Sequence, residues 1–256
     1  MEIRILRFDA VDSTNTSALR HAKQGADEGL VIIAGEQTVG RGRFGRNWYS
    51  AAGSGLYFSI ILRPAISLTH LPLLTLMAGV AAHDALEEFV QDVDLKWVND
   101  LLVRGLKIGG ILAETTETAR GLAVVIGIGI NLRSSILPPE LRQTATSIEK
   151  ETGRQPDSSA LEFTLIRYLS YFYHILGEDN GAAIIREEWI KRSSFANGKS
   201  VTVKTDGRIL NGITDGLEAD GALRLITGSG ILTIRAGDVE MLRPAGDASG
   251  LMHGAD

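Results

Sequence analysis

The sequence predicts an α+β protein, in which a mixed central sheet with packed helices is followed by a small domain of short strands. First, 256 residues with 44% hydrophobic side chains can bury one substantial core and a smaller second one. Second, short apolar runs alternate with segments of helical spacing as far as residue 190. Third, from Lys199 onward short alternating strands separated by Gly-containing turns predict a β-barrel of about forty-five residues.

The predicted domains are residues 1–195 and 196–243, and a tail over 244–256 that is rich in Gly and Ala is expected to be disordered. Residues 3–8 alternate as a strand, and Asp12 or Ser13 is expected to cap a helix that stops at Gly25. The other elements expected in the first domain are strands over 30–34 and 55–62, a helix over 72–90, a hairpin over 95–114 turning at Arg104-Gly105, a strand over 122–132, and helices over 158–175 and 184–190. Turns of the second domain are expected at Asp206-Gly207, Asp215-Gly216, Asp220-Gly221 and 228–230.

Charge and cysteine content restrict the classes of function. A formal net charge of −5 and a pI near 5.6 give no general attraction to nucleic acid, so any basic stretch serves local chemistry. The absence of cysteine excludes disulfides, thiolate nucleophiles and thiol-bound metals, and it fits a reducing compartment. No signal-peptide pattern and no run of 18 apolar residues is present, so we expect a cytoplasmic protein without a membrane partner.

The most informative stretch is residues 36–49, EQTVGRGRFGRNWY, which lies between two predicted strands. Its glycines at 40, 42 and 45 tolerate positive φ and close approach of a ligand, and its arginines at 41, 43 and 46 suit phosphate or carboxylate. A solvated basic loop is the plain alternative. The segment matches neither the GxxxxGK[ST] phosphate loop nor a GxGxxG fingerprint, because a strand rather than a helix follows it.

The segment GRGRFGRNW, with SGLYFSIILRP after it, closely resembles the adenylate-binding loop of biotin protein ligases. The resemblance extends over residues 1–243 and implies the class II synthetase-like fold of biotin and lipoate ligases with an SH3-like C-terminal domain. It implies that ATP and biotin are substrates, that Mg²⁺ arrives with ATP, and that the partner is the biotin carboxyl carrier protein of acetyl-CoA carboxylase or another biotin-dependent carboxylase. A homodimer is possible. Longer family members carry an N-terminal DNA-binding domain, which we do not expect here, and with it no DNA binding.

Polar residues at the predicted helix start and in the hairpin strengthen the resemblance. Ser13, Thr14 and Asn15 could serve only as helix caps, and the hairpin charges could be merely exposed. The patterns KWVND and KIGGILAE nevertheless resemble the catalytic hairpin of the family, although Val98 stands where proline is usual. The resemblance implies biotin contacts at Ser13, Thr14, Asn15, Gln37, Gly40, Arg41, Gly42, Arg43, Lys107 and Gly110. It implies adenylate contacts at Arg43, Arg46, Trp48, Asn99, Asp100, Lys107 and Asn131.

Lys107 and Arg43 are the predicted catalytic residues, because fixed cations stabilise charge that develops at phosphorus. No residue is assigned to a metal, since magnesium is expected to be held by phosphates and water, and His83 lacks a spaced partner. Two alternatives remain. A lipoate or octanoate ligase or transferase has a related fold but lacks the GRGRxGR loop, and a nucleic-acid-binding module would rest only on that loop and the β-barrel. Biotin-dependent pyrophosphate release separates all three.

Overall fold

The computed structural model describes residues 1–133, 138–205 and 207–241, so the predicted tail over 244–256 lies outside the described residues. The first sheet has seven strands in the spatial order β1-β2-β3-β7-β6-β5-β4. Their bounds are β1 Arg4–Val11, β2 Leu30–Gln37, β3 Gly55–Leu62, β4 Val93–Lys96, β5 Asp100–Val103, β6 Leu106–Thr118 and β7 Gly121–Asn131. Strands β1 and β2 pair in parallel and the remaining neighbours are antiparallel, which confirms the predicted mixed sheet.

Helices cover both faces of this sheet. They are α1 Thr14–Lys23, α2 Leu73–Glu87, α3 Ile148–Thr152, α4 Ser158–Leu176 and α5 Gly181–Lys191. Helix α2 is buried on most sides and packs against α4 and α5, and this layer forms the main core with one face of the sheet. On the other face, α1 packs Ala18 and Ala22 against Ile32 and Val125 in a smaller cluster. The sheet therefore separates two cores, and α1, a single helix of ten residues, covers the face with the smaller one.

The C-terminal domain is a five-stranded antiparallel sheet, as expected for the SH3-like domain. Its strands are β8 Asn197–Thr205, β9 Arg208–Leu217, β10 Leu223–Thr227, β11 Gly230–Ile234 and β12 Asp238–Met241, in the order β11-β10-β9-β8-β12. The predicted turns at Asp220-Gly221 and 228–230 are confirmed. The turn predicted at Asp215-Gly216 is wrong, because both residues lie within β9, where Gly216 has φ 78°. Asp206 of the remaining turn lies outside the described residues.

The predicted elements of the first domain all occur, with shifts of a few residues at their ends. Ser13 rather than Asp12 is the N-cap of α1, and its hydroxyl accepts a hydrogen bond from the Thr16 amide. Arg104 and Gly105 have φ of 50° and 80° and turn β5 into β6, as the sequence predicts. The first domain's last helix ends at Lys191 and β8 begins at Asn197, so the predicted boundary falls between them. Among the helices that the structure describes, none has the length and apolar character to cross a membrane.

Candidate active site

Glycines on two neighbouring strands form an open floor beside the N-terminus of α1. Gly110 of β6 pairs with Gly129 of β7, and Gly127 lies two residues earlier on the same face of the sheet. A Cβ at Gly129 would lie 2.6 Å from the Trp48 indole, and one at Gly127 would lie 2.0 Å from Asn15 Oδ1. These positions therefore require glycine. The same face of β7 carries Val125 under α1, so the floor begins where the packing of α1 ends.

Two cavities adjoin here, and the smaller one lies over this floor. The first has a volume of about 120 Å³. It lies between the α1 N-terminus, the floor and the loop within residues 36–49 that carries Arg41, Arg43 and Arg46, which is called the arginine loop below. The second is wider, about 800 Å³, and extends toward the C-terminal domain. Asn47, Trp48, Asp100 and Lys107 line both cavities. Of the predicted site residues, the first cavity is lined by Ser13, Thr14, Asn15, Gln37, Arg41, Gly42, Arg43, Arg46, Trp48, Asn99, Asp100, Lys107 and Gly110.

Gln37 connects the start of α1 to the far end of the arginine loop. Its Oε1 accepts from the Thr14 amide at 2.8 Å and from Thr14 Oγ1 at 3.1 Å. Its Nε2 donates to Ser50 Oγ at 2.8 Å, and the Ser50 hydroxyl donates to the Trp48 carbonyl at 3.0 Å. Gly40 lies behind this chain, where a Cβ would meet the Trp48 carbonyl at 2.3 Å, so Gly40 packs the loop rather than lining either cavity.

Asn15 is almost fully buried and every polar atom of its amide has a partner. Its Oδ1 accepts from Ser59 Oγ at 2.6 Å, and Ser59 is itself inaccessible to solvent. Its Nδ2 donates to the Leu112 carbonyl at 3.2 Å and to Glu114 Oε2 at 2.9 Å. Buried polar groups held in this way have a fixed orientation, because any rotation leaves a donor or acceptor unpaired.

The arginine loop is closed by its own backbone. Arg41 and Asn47 form an antiparallel bridge, and the Gly42 amide donates to the Arg46 carbonyl at 2.7 Å. Of the three glycines expected to suit positive φ, only Gly45 has it, at 72°, while Gly42 has φ −121°. Phe44 also has positive φ, 55°, a conformation that is uncommon for a residue other than glycine.

Arg43 reaches from the loop to two other parts of the chain. Its Nη1 donates to Asn99 Oδ1 and to the Gly237 carbonyl, both at 3.2 Å. Burial lowers the pKa of Arg43 from its ordinary value, while Asp238 and Asp100 oppose this shift. A guanidinium nevertheless stays charged in proteins. The Asn99 backbone and side chain bond to Ile111, which fixes the amide that Arg43 contacts.

Lys107 lies where the two cavities join. Its ammonium is 2.5 Å from Asp100 Oδ1, and Lys96 Nζ is 2.9 Å from Asp100 Oδ2. Burial alone would raise the pKa of Asp100, but the two ammonium groups hold it below its ordinary value. Asp100 is therefore a carboxylate that keeps two lysines at one point of the site, and Lys107 Nζ also lies 5.4 Å from the centre of the Trp48 ring.

The Trp48 indole lies against Gly110 and Gly129, and its Nε1 is buried without a hydrogen-bond partner among the described residues. A buried donor of this kind is costly unless a ligand or water accepts from it. Asn131 lines only the wider cavity, and its amide donates to the carbonyls of Lys107 and Thr146. Trp48 thus lines both cavities with an unpaired donor, and Asn131 lines the wider one while holding the backbone of Lys107.

His83, to which the sequence assigns no role, lies outside both cavities. Its Nδ1 is 2.9 Å from Asp84, and its Nε2 is 3.1 Å from the Val93 carbonyl. Asp84 also pairs with Arg192, so this group holds α2 against α5 and β4. In the described ranges, no group of three or more His, Asp or Glu side chains is arranged to hold a metal ion.

Several residues of the site are not among the contacts predicted from the sequence, and one of them, Asn47, lines both cavities. Ser50 and Ser59 orient the loop and Asn15, and Glu114 and Asp238 pair with loop arginines. A serine within the apolar run GLYFSIIL is a signal that would have found Ser59, because an isolated polar residue in a buried strand needs a partner. Nothing local to residue 238 marks it as part of this site.

The glycine floor, the arginine loop and the Lys107–Asp100 pair form a candidate ligand site on this fold, and comparison with known ligases identifies the family. Residues 7–131 match the biotin/lipoate A/B protein ligase family, and residues 197–242 match the biotin protein ligase C-terminal domain. The chain belongs to this family.

Its relatives cover nearly all of the chain. The bifunctional ligase/repressor BirA of Bacillus subtilis is 36% identical, over 93% of this chain and 74% of that protein. The biotin–[acetyl-CoA-carboxylase] ligase of Mycobacterium tuberculosis is 32% identical, over 90% of this chain and 86% of that protein. Among solved structures, the biotin protein ligase of Aquifex aeolicus in complex with biotin and ATP superposes with a TM-score of 0.80 at 28% identity, covering 93% and 98% of the two chains.

Proposed function

We propose that this protein is an enzyme that activates biotin with ATP as biotinyl-5′-AMP and transfers the biotinyl group to a lysine of a biotin carboxyl carrier protein. The observation that carries this proposal is the meeting of Lys107, Asp100 and Arg43 above the glycine floor, where the smaller cavity opens into the wider one. Named relatives are biotin–[acetyl-CoA-carboxylase] ligases, and a similar structure contains biotin and ATP.

Biotin occupies the smaller cavity in this proposal. Ser13, Thr14 and Asn15 line this cavity at a helix N-terminus, an end of a helix that favours a polar ligand. Gly110, Gly127 and Gly129 give this cavity a floor without side chains, on which Asn15 and Trp48 pack closely. The biotin carboxylate then points toward Lys107, at the entrance to the wider cavity, which takes the nucleotide with its Mg²⁺.

In the first step, a carboxylate oxygen of biotin forms a bond to the α-phosphorus of ATP, and the bond from that phosphorus to pyrophosphate breaks. Negative charge collects on the phosphoryl oxygens and the leaving group, which is where a fixed cation lowers the barrier most. Lys107 supplies this cation in an orientation set by Asp100, and Arg43 supplies a second one from the loop. The Trp48 indole lines the same cavities, and its Nε1 has no hydrogen-bond partner among the described residues.

In the second step, the neutral amine of the carrier lysine attacks the acyl carbon of biotinyl-5′-AMP. The C–N bond forms, AMP leaves with the electron pair of the C–O bond, and the amine proton is released. No covalent intermediate on the enzyme is involved. The residues of this chain contribute by holding the adenylate and by keeping water away until the carrier arrives.

The finer points of the proposal concern partners and setting. The carrier is the biotin-accepting part of acetyl-CoA carboxylase or of another biotin-dependent carboxylase, in line with the names of the relatives. A homodimer, a cytoplasmic location and a lack of DNA binding stay predictions from the sequence.

Biotin-dependent release of pyrophosphate from ATP tests the proposal. Biotin is expected to stimulate release, and a purified carrier domain is expected to become biotinylated on one lysine by mass spectrometry. Lipoate and octanoate serve as competing acids in the same assay. Stimulation by these acids but not by biotin would instead identify a lipoate or octanoate ligase, and no stimulation by any of them would overturn the assignment.

A further inference from the structure

Glu114 lies between the start of α1 and the arginine loop, two parts of the site that are far from it along the chain. It lies inside the 13-residue strand β6 and pairs with Val125 of β7. Residues before and after it also pair with β7, so its backbone position is fixed. Its Oε2 accepts from Asn15 Nδ2 at 2.9 Å, and its Oε1 accepts from Arg41 Nη2 at 2.7 Å. One carboxylate therefore holds the first turn of α1 with one oxygen and the arginine loop with the other.

On the α1 side, the carboxylate fixes which way the Asn15 amide faces. The Nδ2 group points at Glu114 and the Leu112 carbonyl, both of which are acceptors, while Oδ1 receives the Ser59 hydroxyl. A flipped amide would place Oδ1 against the negative charge of Glu114. The side chain of Asn15 is only 3% exposed, so water cannot relieve that repulsion.

On the loop side, the carboxylate holds the base of the arginine loop. Arg41 begins the loop and its backbone is bridged to Asn47, so a fixed Arg41 side chain fixes the stem from which Arg43 projects. The Arg41 guanidinium is committed to Glu114, and its charge is compensated before any ligand enters. Arg43 has no ion pair of this kind among the described residues, and its Nη1 donates to Asn99 and Gly237.

We propose that Glu114 is a positioning residue that couples the biotin-contacting turn to the arginine loop, so that the loop is held closed over the adenylate while Asn15 is in its binding orientation. This inference rests on the proposed function, because it takes Asn15 and Arg41 to lie against biotin. Arg41 then acts mainly through Glu114, as an anchor of the loop, rather than as the cation that neutralises the reacting groups.

The test measures how fast the enzyme loses its intermediate. Radiolabelled biotinyl-5′-AMP is formed on the enzyme from biotin, Mg-ATP and pyrophosphatase, and its release is followed after a chase with unlabelled biotin. Loss of a charge-assisted hydrogen bond corresponds to about 10- to 100-fold in an equilibrium or rate constant. Glu114→Ala is expected to release the adenylate at least 10-fold faster. Glu114→Gln keeps the side-chain size, but its amide nitrogen is a donor that faces one of the two existing donors. Its rate of adenylate release is expected to lie between those of Glu114→Ala and the wild type.

Glu117→Ala is the matched control, because Glu117 lies on the same strand, is exposed, and has no side-chain partner among the described residues. It is expected to retain the adenylate as the wild type does. Thermal unfolding of each variant shows whether the fold is intact, and Glu114→Gln supplies the reading if Glu114→Ala does not fold. Release from Glu114→Gln and Glu114→Ala at the wild-type rate would overturn the inference.

A double-mutant cycle with Arg41→Ala separates positioning from independent binding. If Glu114 acts by holding Arg41, the double variant is expected to release the adenylate no faster than the worse single variant. Additive losses would instead mean that the two residues act separately, which contradicts the inference. A wild-type enzyme that forms no adenylate at all would contradict the proposed function, so the two failures are distinguishable.

Discussion

Asp238, at the start of β12 in the C-terminal domain, forms an ion pair with Arg46 of the arginine loop, 192 residues earlier in the chain. The neighbouring Gly237 carbonyl accepts a hydrogen bond from Arg43. The C-terminal domain therefore supplies contacts to the loop that lines the active site. The Arg46 guanidinium, which is predicted to contact the adenylate, is therefore paired with the Asp238 carboxylate.

This pair predicts a measurable effect on nucleotide binding. The Arg46 side chain is 64% exposed, and exposed pairs contribute only about 0.2 to 1 kcal/mol, so a triphosphate can replace Asp238 at little cost. Asp238→Asn removes the negative charge that competes with phosphate for Arg46, and it is expected to tighten ATP binding about two- to five-fold. The gain should shrink at high salt, because ions screen exposed charges.

Isothermal titration with a non-hydrolysable ATP analogue measures the effect of Asp238→Asn. Asp220→Asn is the control, since its partner Arg235 belongs to the same domain and lies outside both cavities. Weaker binding in Asp238→Asn would show that the ion pair instead holds the C-terminal domain in a productive position.

Lys107→Ala is expected to slow adenylate formation much more than it weakens biotin binding. Its ammonium matters most where negative charge gathers in the transition state, and removal of one preorganised donor costs about 10²- to 10³-fold in rate. Pyrophosphate release at saturating biotin and ATP measures the loss. Lys23→Ala, at the exposed end of α1, serves as the control. An unchanged rate in Lys107→Ala would remove this residue from the chemical step.

Arg43→Gly is expected to form adenylate but to retain it poorly. Arg43 connects the loop to Asn99 and Gly237, and a glycine at this position loses those contacts and frees the backbone. Released biotinyl-5′-AMP then labels lysines of unrelated proteins, which an avidin blot of a protein mixture detects. Arg154→Gly, which lines neither cavity, is expected to label only the carrier. Labelling confined to the carrier in Arg43→Gly as well would exclude a role in retention.

Ser59→Ala is expected to weaken biotin binding without removing any residue that contacts biotin. Its buried hydroxyl is 2.7 Å from Thr14 Oγ1 and 2.6 Å from Asn15 Oδ1. A buried polar group left unpaired costs about 1 to 3 kcal/mol. When this cost falls on the biotin-bound state, the affinity for biotin drops by roughly 5- to 150-fold. Calorimetric titration with biotin measures this change. Ser200→Ala, exposed on β8, should bind biotin as the wild type does, and equal affinity in Ser59→Ala would contradict the assigned role.

The depressed pKa of Asp100 predicts how stability depends on pH. The pKa of an aspartate in an unfolded chain is about 3.9. Burial would raise the pKa of Asp100 in the folded protein, but Lys107 and Lys96 hold it below its ordinary value. The contribution of this carboxylate is therefore fully present above that value and is lost as the pH falls toward the folded pKa. The difference in unfolding free energy between wild type and Asp100→Asn should be largest near neutral pH and shrink below about pH 4. Urea titrations at several pH values measure it, and a difference independent of pH would contradict the ion-pair assignment.

The sequence by itself determined the elements of the fold and most of the lining of the cavity. Most strands and helices follow from local spacing of apolar residues, whereas the short α3 lies in a polar stretch without that spacing. Ser13 caps α1 because a short polar side chain there satisfies an amide of the first turn. The arginine loop and the hairpin carry contiguous motifs, so their residues could be named in advance. The misplaced turn at Asp215-Gly216 has the same origin, because Asp-Gly is a local turn signal, and pairing on both sides keeps it inside β9.

Only the tertiary structure decided which side chains meet. Glu114 contacts Asn15 across 99 residues and Arg41 across 73, and Asp238 reaches Arg46 from another domain. These contacts depend on the strand order β1-β2-β3-β7-β6-β5-β4, which places β6 beside β7 and brings both beneath α1. Hydrophobic periodicity assigns a residue to a face of its own strand, but it does not encode which strand lies alongside. The partners of the loop arginines are therefore a property of the assembled sheet and not of any local stretch of sequence.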